Sequence, residues 1–246
     1  MTVTEVASGN RPPSVGPPPL APPNKRTVFD HYWETRELAS ADLRTRLRIA
    51  IVERFLEGTG GTLLDVGCGR GVAAAHFAEL GFNVTAVDIS PFAVRWTERQ
   101  HPTIKAAVLD LETEPLKGTY NTIFCLEMLQ QVRDPVAVLS KLRDTLAPGG
   151  ALIVSLPNEF HLARRLAILA GRVDFGGIDD THIKLYTPAE HRRLFSACGL
   201  HVHRACSQSI VPARWVRGWP HRVGNHLANH WPSLFALCTV YRLTPE

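Results

Sequence analysis

Residues 63–71 read LLDVGCGRG, a short apolar run that leads into three closely spaced glycines. The apolar run predicts a buried strand, and residues 72–80 predict a helix directly after the turn. Glycines at such a turn permit positive φ angles and allow a ligand to approach the backbone. An open α/β sheet binds its nucleotide at the carboxyl edge of the strands, where this turn would lie. The stretch therefore indicates a nucleotide site or, more simply, a tight turn.

The glycine spacing is G-x-G-x-G, which differs from two common phosphate-binding loops. A dinucleotide fingerprint requires G-x-G-x-x-G, and a P-loop requires Gly-Lys-Ser/Thr after four residues. Position 72 is a valine, so neither pattern fits. A pyrophosphate is therefore not the expected ligand, and a nicotinamide dehydrogenase is disfavoured.

A regular alternation of strands and helices surrounds this loop. Strands are predicted at 62–66, 83–88, 105–109, 122–125, 151–156, 201–205 and 236–243. Helices are predicted at 29–37, 41–57, 72–80, 91–99, 135–146, 159–170 and 188–198. Short apolar strands are typical of a sheet that is covered on both faces. The expected fold class is α/β, a Rossmann-like, doubly wound, mostly parallel seven-stranded sheet with helices on both faces.

Two carboxylates end strands close to the glycine loop. Asp88 ends the second strand, 21 residues after Gly67. A carboxylate there can accept both hydroxyls of a ribose, although Asp88 could equally be the N-cap of the helix that starts at Pro91. Asp110 ends the third strand and could accept from an adenine amino group. Because these features meet at one edge of the sheet, a nucleoside ligand is a better explanation than coincidence.

Five ordered stretches resemble class I S-adenosylmethionine-dependent methyltransferases, in particular the small-molecule group that includes quinone-biosynthesis O-methyltransferases. They read LLDVGCGRG, VTAVDIS, VLDLE, YNTIFCLEMLQQVRDP and LRDTLAPGGALIVSLPN, and a looser match covers 179–200. The resemblance implies that the cofactor is S-adenosylmethionine. It places Asp65, Gly67, Cys68 and Gly69 at the methionine end of this cofactor, and Cys125 and Glu127 at the sulfonium. It also places Asp88 at the ribose, Ile89 against the adenine, and Asp110 and Leu111 at the adenine edge.

The segment after the fourth strand departs from the family pattern. Many members read Leu-Glu-His-Val there, whereas this chain has glutamines at 130 and 131. Glutamine accepts no proton at neutral pH, so Gln131 can only orient an acceptor or make a structural contact. The candidate general base is His182, in a region where the family places acceptor lids, with a loop-pinning role as the alternative. His161 is a second candidate.

The predicted domain organisation follows from the proline content of the first residues and from the family resemblance. Residues 1–26 are predicted to be a disordered, proline-rich tail, since 1–23 hold seven of the 18 prolines. Residues 27–246 are predicted to form a single methyltransferase domain, with N-terminal helices at 27–60, a cofactor-binding core at 62–158, and acceptor-side elements with an insert at 159–233.

The predicted activity is transfer of a methyl group from S-adenosylmethionine to a small-molecule acceptor, at a hydroxyl oxygen. The missing Glu-His pair leaves a non-catalytic S-adenosylmethionine-binding scaffold or regulatory module as an alternative. Methylation of RNA or protein is another, but the chain has no Asn-Pro-Pro-Tyr motif and no appended RNA-binding domain.

Charge and cysteine patterns bear on partners and compartment. From residue 192 onward there are seven arginines and one acid. This is either a solvated basic face or a surface for peripheral contact with an anionic membrane, and no nucleic-acid partner is expected. Five widely spaced cysteines without CxxC predict neither disulfides nor a metal site. With no secretory signal or apolar span, the expected location is cytoplasmic.

Overall fold

The computed structural model describes residues 24–35, 43–56, 60–172, 181–211 and 219–246. Its strands are β1 Thr62–Val66, β2 Asn83–Asp88, β3 Lys105–Val108, β4 Tyr120–Leu126, β5 Leu146–Pro157, β6 Leu200–Ser209 and β7 Ala236–Pro245. Its helices are α1 Lys25–Thr35, α2 Leu43–Phe55, α3 Val72–Glu79, α4 Pro91–Gln100, α5 Pro135–Asp144, α6 Leu162–Leu169, α7 Pro188–Ala197, α8 Trp219–His230 and α9 Pro232–Phe235, with a 3₁₀ turn at Leu129–Gln131.

The strands form one seven-stranded sheet in the order β3-β2-β1-β4-β5-β7-β6. Strands β1 to β5 pair in parallel, and β7 is antiparallel to both β5 and β6. This confirms the predicted Rossmann-like, mostly parallel sheet. The chain reverses its direction of winding between β1 and β4, and such a switch point opens a crevice at the carboxyl ends of the strands.

Both faces of the sheet are buried, which explains the continuous apolar runs. In β1, Leu63 belongs to a core with Val52 of α2 and Phe77 of α3. The next residue, Leu64, belongs to a second core with Leu139 of α5. Because successive strand residues point to opposite faces, two cores require apolar residues at successive positions.

The structure changes several predicted boundaries in the sheet. Strand β5 starts at Leu146, where the predicted preceding helix had its end, because Leu146 pairs with Tyr120 of β4. Strand β6 continues to Ser209, which pairs with Ala236 of β7. Pairing partners distant in the sequence therefore extend both strands beyond the apolar runs that predicted them.

The first helix starts earlier than predicted. Helix α1 begins at Lys25, and the N–H of Arg26 donates to Oδ1 of Asn24 at 3.1 Å. Lys25 forms an ion pair with Glu112, and Arg26 forms one with Glu114 at 2.6 Å. Two residues assigned to the proline-rich tail are thus helical, while residues 1–23 lie outside the described part of the chain.

Two helices within the predicted insert were not expected. Helix α8 lies against β6, where the side-chain oxygens of Asn225 and Asn229 accept from the N–H groups of Ser209 and Ser207 at 3.3 and 2.9 Å. Strand β6 is at the edge of the sheet, and a helix that satisfies its free amides protects that edge. None of the helices in the described ranges has the length and apolar content that a bilayer span requires.

Candidate active site

A cavity of about 1010 Å³ opens at the carboxyl ends of the strands. Pockets for small ligands are roughly 300–1,000 Å³, so this cavity has room for a cofactor together with an acceptor. One part, the strand-end wall, consists of Asp65, Gly67, Cys68, Asp88, Ile89, Asp110 and Leu111. Another part, the cationic wall, consists of Arg44, Arg48, His161, Arg164 and His182.

The glycine loop is tied to the end of β2. The N–H groups of Gly67 and Cys68 donate to the carbonyl oxygen of Val87 at 2.8 and 3.1 Å. Gly67 has a φ of 67°, and an added Cβ would lie 2.8 Å from Cγ of Met128. Gly69 has a φ of 53°, and an added Cβ would overlap the Trp33 ring. Glycine is therefore required here by both backbone conformation and space.

Helix α1 covers this loop and carries the aromatic residues Tyr32 and Trp33. Both side chains line the cavity. The helix is fixed against α4 because the N–H of Phe92 donates to Oδ1 of Asp30 at 2.8 Å. Trp33 therefore packs on the loop and also borders the space where a ligand would lie.

Asp88 lies where the sequence predicts it, at the end of β2. Its Oδ2 accepts from the N–H of Gly69 at 2.8 Å, and its Oδ1 accepts from the N–H of Ser90 at 2.9 Å. Burial raises the pKa of the Asp88 carboxyl, and the N–H groups of Ser90 and Gly69 oppose this rise. The N-cap of α4 is Ser90, whose Oγ accepts from the N–H of Ala93 at 3.1 Å. The alternative role of Asp88 as N-cap is thus wrong.

Asp65 is the most deeply buried carboxylate of the strand-end wall, with 2% of its surface exposed. Burial raises the pKa of this carboxyl to about 7, the negative charge of Asp88 adds to the rise, and the N–H of Ala74 opposes it. Its Oδ2 has no hydrogen-bond partner among the described residues. A buried acceptor without a partner is suited to a ligand that brings a cation or an N–H donor.

The other predicted contact residues divide into two groups. Ile89, Asp110 and Leu111 line the cavity, and Oδ1 of Asp110 accepts from the N–H of Glu112 at 3.0 Å. Gly69 and Cys125 are not among the lining residues. The Cys125 side chain is fully buried in the core, with its Sγ 3.9 Å from Sδ of Met128. The structure thus places this thiol behind the cavity wall, and the contact of Cys125 with the ligand stays a prediction.

Glu127 has a strained backbone at the end of β4. Its φ is 55°, which is uncommon for a residue with a Cβ. The conformation is held by Ser155, whose carbonyl oxygen and Oγ both accept from the N–H of Glu127 at 3.1 and 3.0 Å. Its carboxylate accepts from Sγ of Cys238 at 3.2 Å and lies 3.8 Å from Nε of Arg48. Such strain is often found at functional sites.

His182 lies in the cavity between a carboxylate and an amide. Its Nδ1 is 3.2 Å from Oε1 of Glu159, and its Nε2 is 3.4 Å from Nε2 of Gln130. The Gln130 amide also donates to the carbonyl oxygen of Glu127 at 2.8 Å. Because a carboxylate faces Nδ1 and an amide donor faces Nε2, these neighbours suit the tautomer with its proton on Nδ1. Asp179 and Asp180, which precede His182 in the sequence, lie outside the described residues.

The segment that carries His182 is fixed to the 3₁₀ turn. The N–H groups of Ile183 and Lys184 donate to the carbonyl oxygen of Gln130 at 2.9 and 3.1 Å. The Gln131 amide donates to Oγ1 of Thr181 at 3.0 Å. Gln131 therefore makes the structural contact that was one of its two predicted roles.

Sequence reasoning missed Glu159, which organises the cationic wall. Its Oε1 lies 3.2 Å from Nδ1 of His182, and its second oxygen forms an ion pair with Arg164. Burial raises the pKa of the Glu159 carboxyl, but His182 and Arg164 outweigh it, so the net pKa is lowered. Glu159 precedes α6, which starts at Leu162 with His161 as N-cap. Its place just after β5 was a usable signal, since Asp88 and Asp110 follow the same rule.

The strand order, the glycine loop and the carboxylates at the ends of β1 to β3 together define a Rossmann-like methyltransferase domain. A family described as a methyltransferase domain matches residues 32–205, more than half of the chain. The chain therefore belongs to this family, the class I S-adenosylmethionine-dependent methyltransferases predicted from its motifs.

Similar proteins agree with this classification. A ubiquinone biosynthesis O-methyltransferase from Xanthomonas euvesicatoria is 34% identical over 130 residues, which are 50% of this chain and 54% of that protein. One from Xanthomonas campestris is 33% identical over 117 residues, 45% of this chain and 48% of that protein. The chain thus spans about half the length of the curated relatives it matches.

Solved structures share the fold at low sequence identity. Magnesium protoporphyrin IX methyltransferase from Synechocystis, with bound S-adenosylhomocysteine, has a TM-score of 0.59 and 17% identity, and the match covers 92% of this chain and 90% of that one. The N-methyltransferase NodS from Bradyrhizobium japonicum has a TM-score of 0.61 and 14% identity, with 89% and 97% covered.

Proposed function

We propose that this chain transfers the methyl group of S-adenosylmethionine to a hydroxyl oxygen of a small-molecule acceptor. The observation that carries this proposal is the Glu159–His182 pair, which lies in the same cavity as the glycine loop and Asp88. A base beside the cofactor site is what a hydroxyl acceptor needs, because its proton must leave as the new bond forms. The O-methyltransferases among the curated relatives support oxygen as the target.

The strand-end wall fits the cofactor. The partnerless Oδ2 of Asp65 would accept from the amino group at the methionine end, beside the backbone of the glycine loop. Asp88 would hold the ribose hydroxyls through the lone pairs that Gly69 and Ser90 leave free. Ile89 and Leu111 would enclose the adenine. Glu127 would border the sulfonium, whose positive charge suits a carboxylate.

His182 would act as the general base. The cofactor supplies an electrophilic methyl group on a good leaving group, so the protein mainly has to align the acceptor and remove its proton. With the proton on Nδ1, the lone pair of Nε2 would accept the hydroxyl proton once the acceptor displaces the Gln130 amide, which lies 3.4 Å from this atom. Glu159 would stabilise the imidazolium that results, because its carboxylate faces Nδ1. His161 is a weaker candidate, since its Nδ1 accepts from the N–H of Arg164 at 3.4 Å as the N-cap of α6.

The test separates binding from chemistry. We expect His182→Gln to bind S-adenosylhomocysteine with unchanged affinity in calorimetry while its turnover falls about 100-fold. Turnover is measured as S-adenosylhomocysteine release with a small-molecule extract as the acceptor source. Glu159→Gln should lower turnover less and shift its pH profile, because it weakens the imidazolium without removing the base. His203→Gln, on the exposed edge strand, is the matched control.

The outcomes distinguish the alternatives. Unchanged turnover in His182→Gln would remove this histidine from the mechanism. Cofactor binding without release from any fraction would favour the scaffold role, and release only with RNA or protein fractions would favour a macromolecular acceptor. The cytoplasmic location and the peripheral membrane contact of the basic C-terminal region stay predictions.

A further inference from the structure

The two walls of the cavity lie over different halves of the sheet. Asp65 and Asp88 lie at the ends of β1 and β2, and Asp110 follows β3; these three strands form one half of the strand order. The cationic wall lies over the other half, where the cavity is lined by residues after β4 and β5 and at the ends of β6 and β7. The half of the cavity that remains for the acceptor is therefore lined by cationic side chains, unlike the half that the carboxylates line.

The carboxylates of this second half are already engaged. Glu159 is paired with Arg164 and His182, and Glu127 lies 3.8 Å from Arg48. Arg44 also lines the cavity, one helical turn before Arg48 on α2. No carboxylate of the described ranges forms an ion pair with the Arg44 side chain. Among the described residues, the cationic wall thus contains one guanidinium, that of Arg44, more than its carboxylates pair with.

The ionisation of His161 reports the field at this wall. Burial lowers the pKa of its imidazole, Arg164 and Arg44 lower it further, and Glu159 alone opposes them. The arginines are therefore close enough to His161 to act on it, and their combined effect exceeds that of the acid. The start of α6 adds the positive end of a helix dipole at the same place.

We propose that the acceptor carries an anionic group, a carboxylate or a phosphate, which binds between Arg44 and the start of α6. The inference rests on the proposed function and specifies its substrate class. Arginine presents several N–H donors in a planar fork that matches carboxylate and phosphate oxygens. An acceptor anchored by this group would be held at one end, with its hydroxyl free to reach Nε2 of His182.

The test uses small anions as probes of the acceptor half. Protein saturated with S-adenosylhomocysteine is titrated with malonate, with inorganic phosphate and with the neutral malonamide in calorimetry. Saturation with the product cofactor fills the site of its own carboxylate, so further binding reports a second anion site. We expect saturable binding of malonate or phosphate and none of malonamide, and the better anion identifies the group.

Two variants of one helix locate the binding. Arg44→Gln should lower the affinity for the anion about 10-fold, which is the effect of losing one charge-assisted hydrogen-bonding group. Arg46→Gln makes the same charge change at an exposed residue that does not line this cavity, and it should leave the anion affinity unchanged. Both variants should bind S-adenosylhomocysteine like the wild type.

Three results overturn the inference: no saturable binding of either anion, equal binding by Arg44→Gln, or a large loss of S-adenosylhomocysteine affinity in that variant, which would place Arg44 at the cofactor. Cofactor uptake without anion binding overturns this inference alone. Failure of the wild type to bind S-adenosylhomocysteine overturns the proposed function and the inference with it.

Discussion

Asp65→Asn should stabilise the ligand-free protein at neutral and alkaline pH. Burial and the charge of Asp88 raise the pKa of this carboxyl from 3.8 to about 7. The folded state therefore keeps a proton that the unfolded state loses, and the free energy of unfolding falls as pH rises from about 4 to 7. A pKa difference of about 3 corresponds to about 4 kcal/mol. Asparagine keeps the shape and avoids this loss.

The assay is urea unfolding of both proteins at pH 4.5, 6 and 8. We expect the two unfolding free energies to differ by up to about 4 kcal/mol at pH 8 and to converge toward pH 4.5. Asp144→Asn, at a carboxylate with 64% of its side chain exposed, is the control and should change stability by less than about 0.5 kcal/mol. Equal stability of wild type and Asp65→Asn at pH 8 would refute the reasoning. Affinity for S-adenosylmethionine should fall in Asp65→Asn, because the cationic ligand loses its carboxylate.

Two further predictions concern the loop and the core. Gly69→Ala should destabilise the protein by about 1–3 kcal/mol in urea unfolding, because the added Cβ overlaps Trp33. Gly81→Ala is the control, since Gly81 also has a positive φ but has open space around the added Cβ. An equal loss of stability at both positions would show that the overlap with Trp33 is not the cause. His191 is fully buried, and burial lowers its pKa from 6.5 to about 4. The unfolded state therefore takes up a proton first as pH falls, and the wild type should lose about 3 kcal/mol between pH 6.5 and 4. His191→Gln should show a shallower fall, and parallel curves would contradict the argument.

The parts of the fold that depend on local pattern could be predicted from the sequence. Helix α7 is an example, since Thr187 and Glu190 form the capping box that their spacing predicts. Elements that depend on distant partners could not. Helix α8 is held in place by amides of β6, which donate to its asparagine side chains and which only the folded sheet presents.

The candidate site divides in the same way. Asp65, Asp88 and Asp110 could be predicted because each stands at or near the end of a predicted parallel strand, and such ends meet at one edge. His182 could be proposed, but its partners could not, because Gln130 precedes it by 52 residues and Glu159 was assigned to a helix. The burial of the Cys125 thiol could not be predicted, because a motif gives the position of a residue and not the face toward which it points.

The electrostatics of the cavity connect these observations. Burial and the charge of Asp88 raise the pKa of Asp65 on the strand-end wall, while burial and the charges of Arg164 and Arg44 lower the pKa of His161 on the cationic wall. Each wall carries an excess of charge of one sign, and a ligand of opposite charge would compensate that excess. A cationic cofactor compensates the first wall, and an anionic acceptor would compensate the second. Each reactant would then be drawn to its own half of the cavity, with its charge matched as water leaves the site.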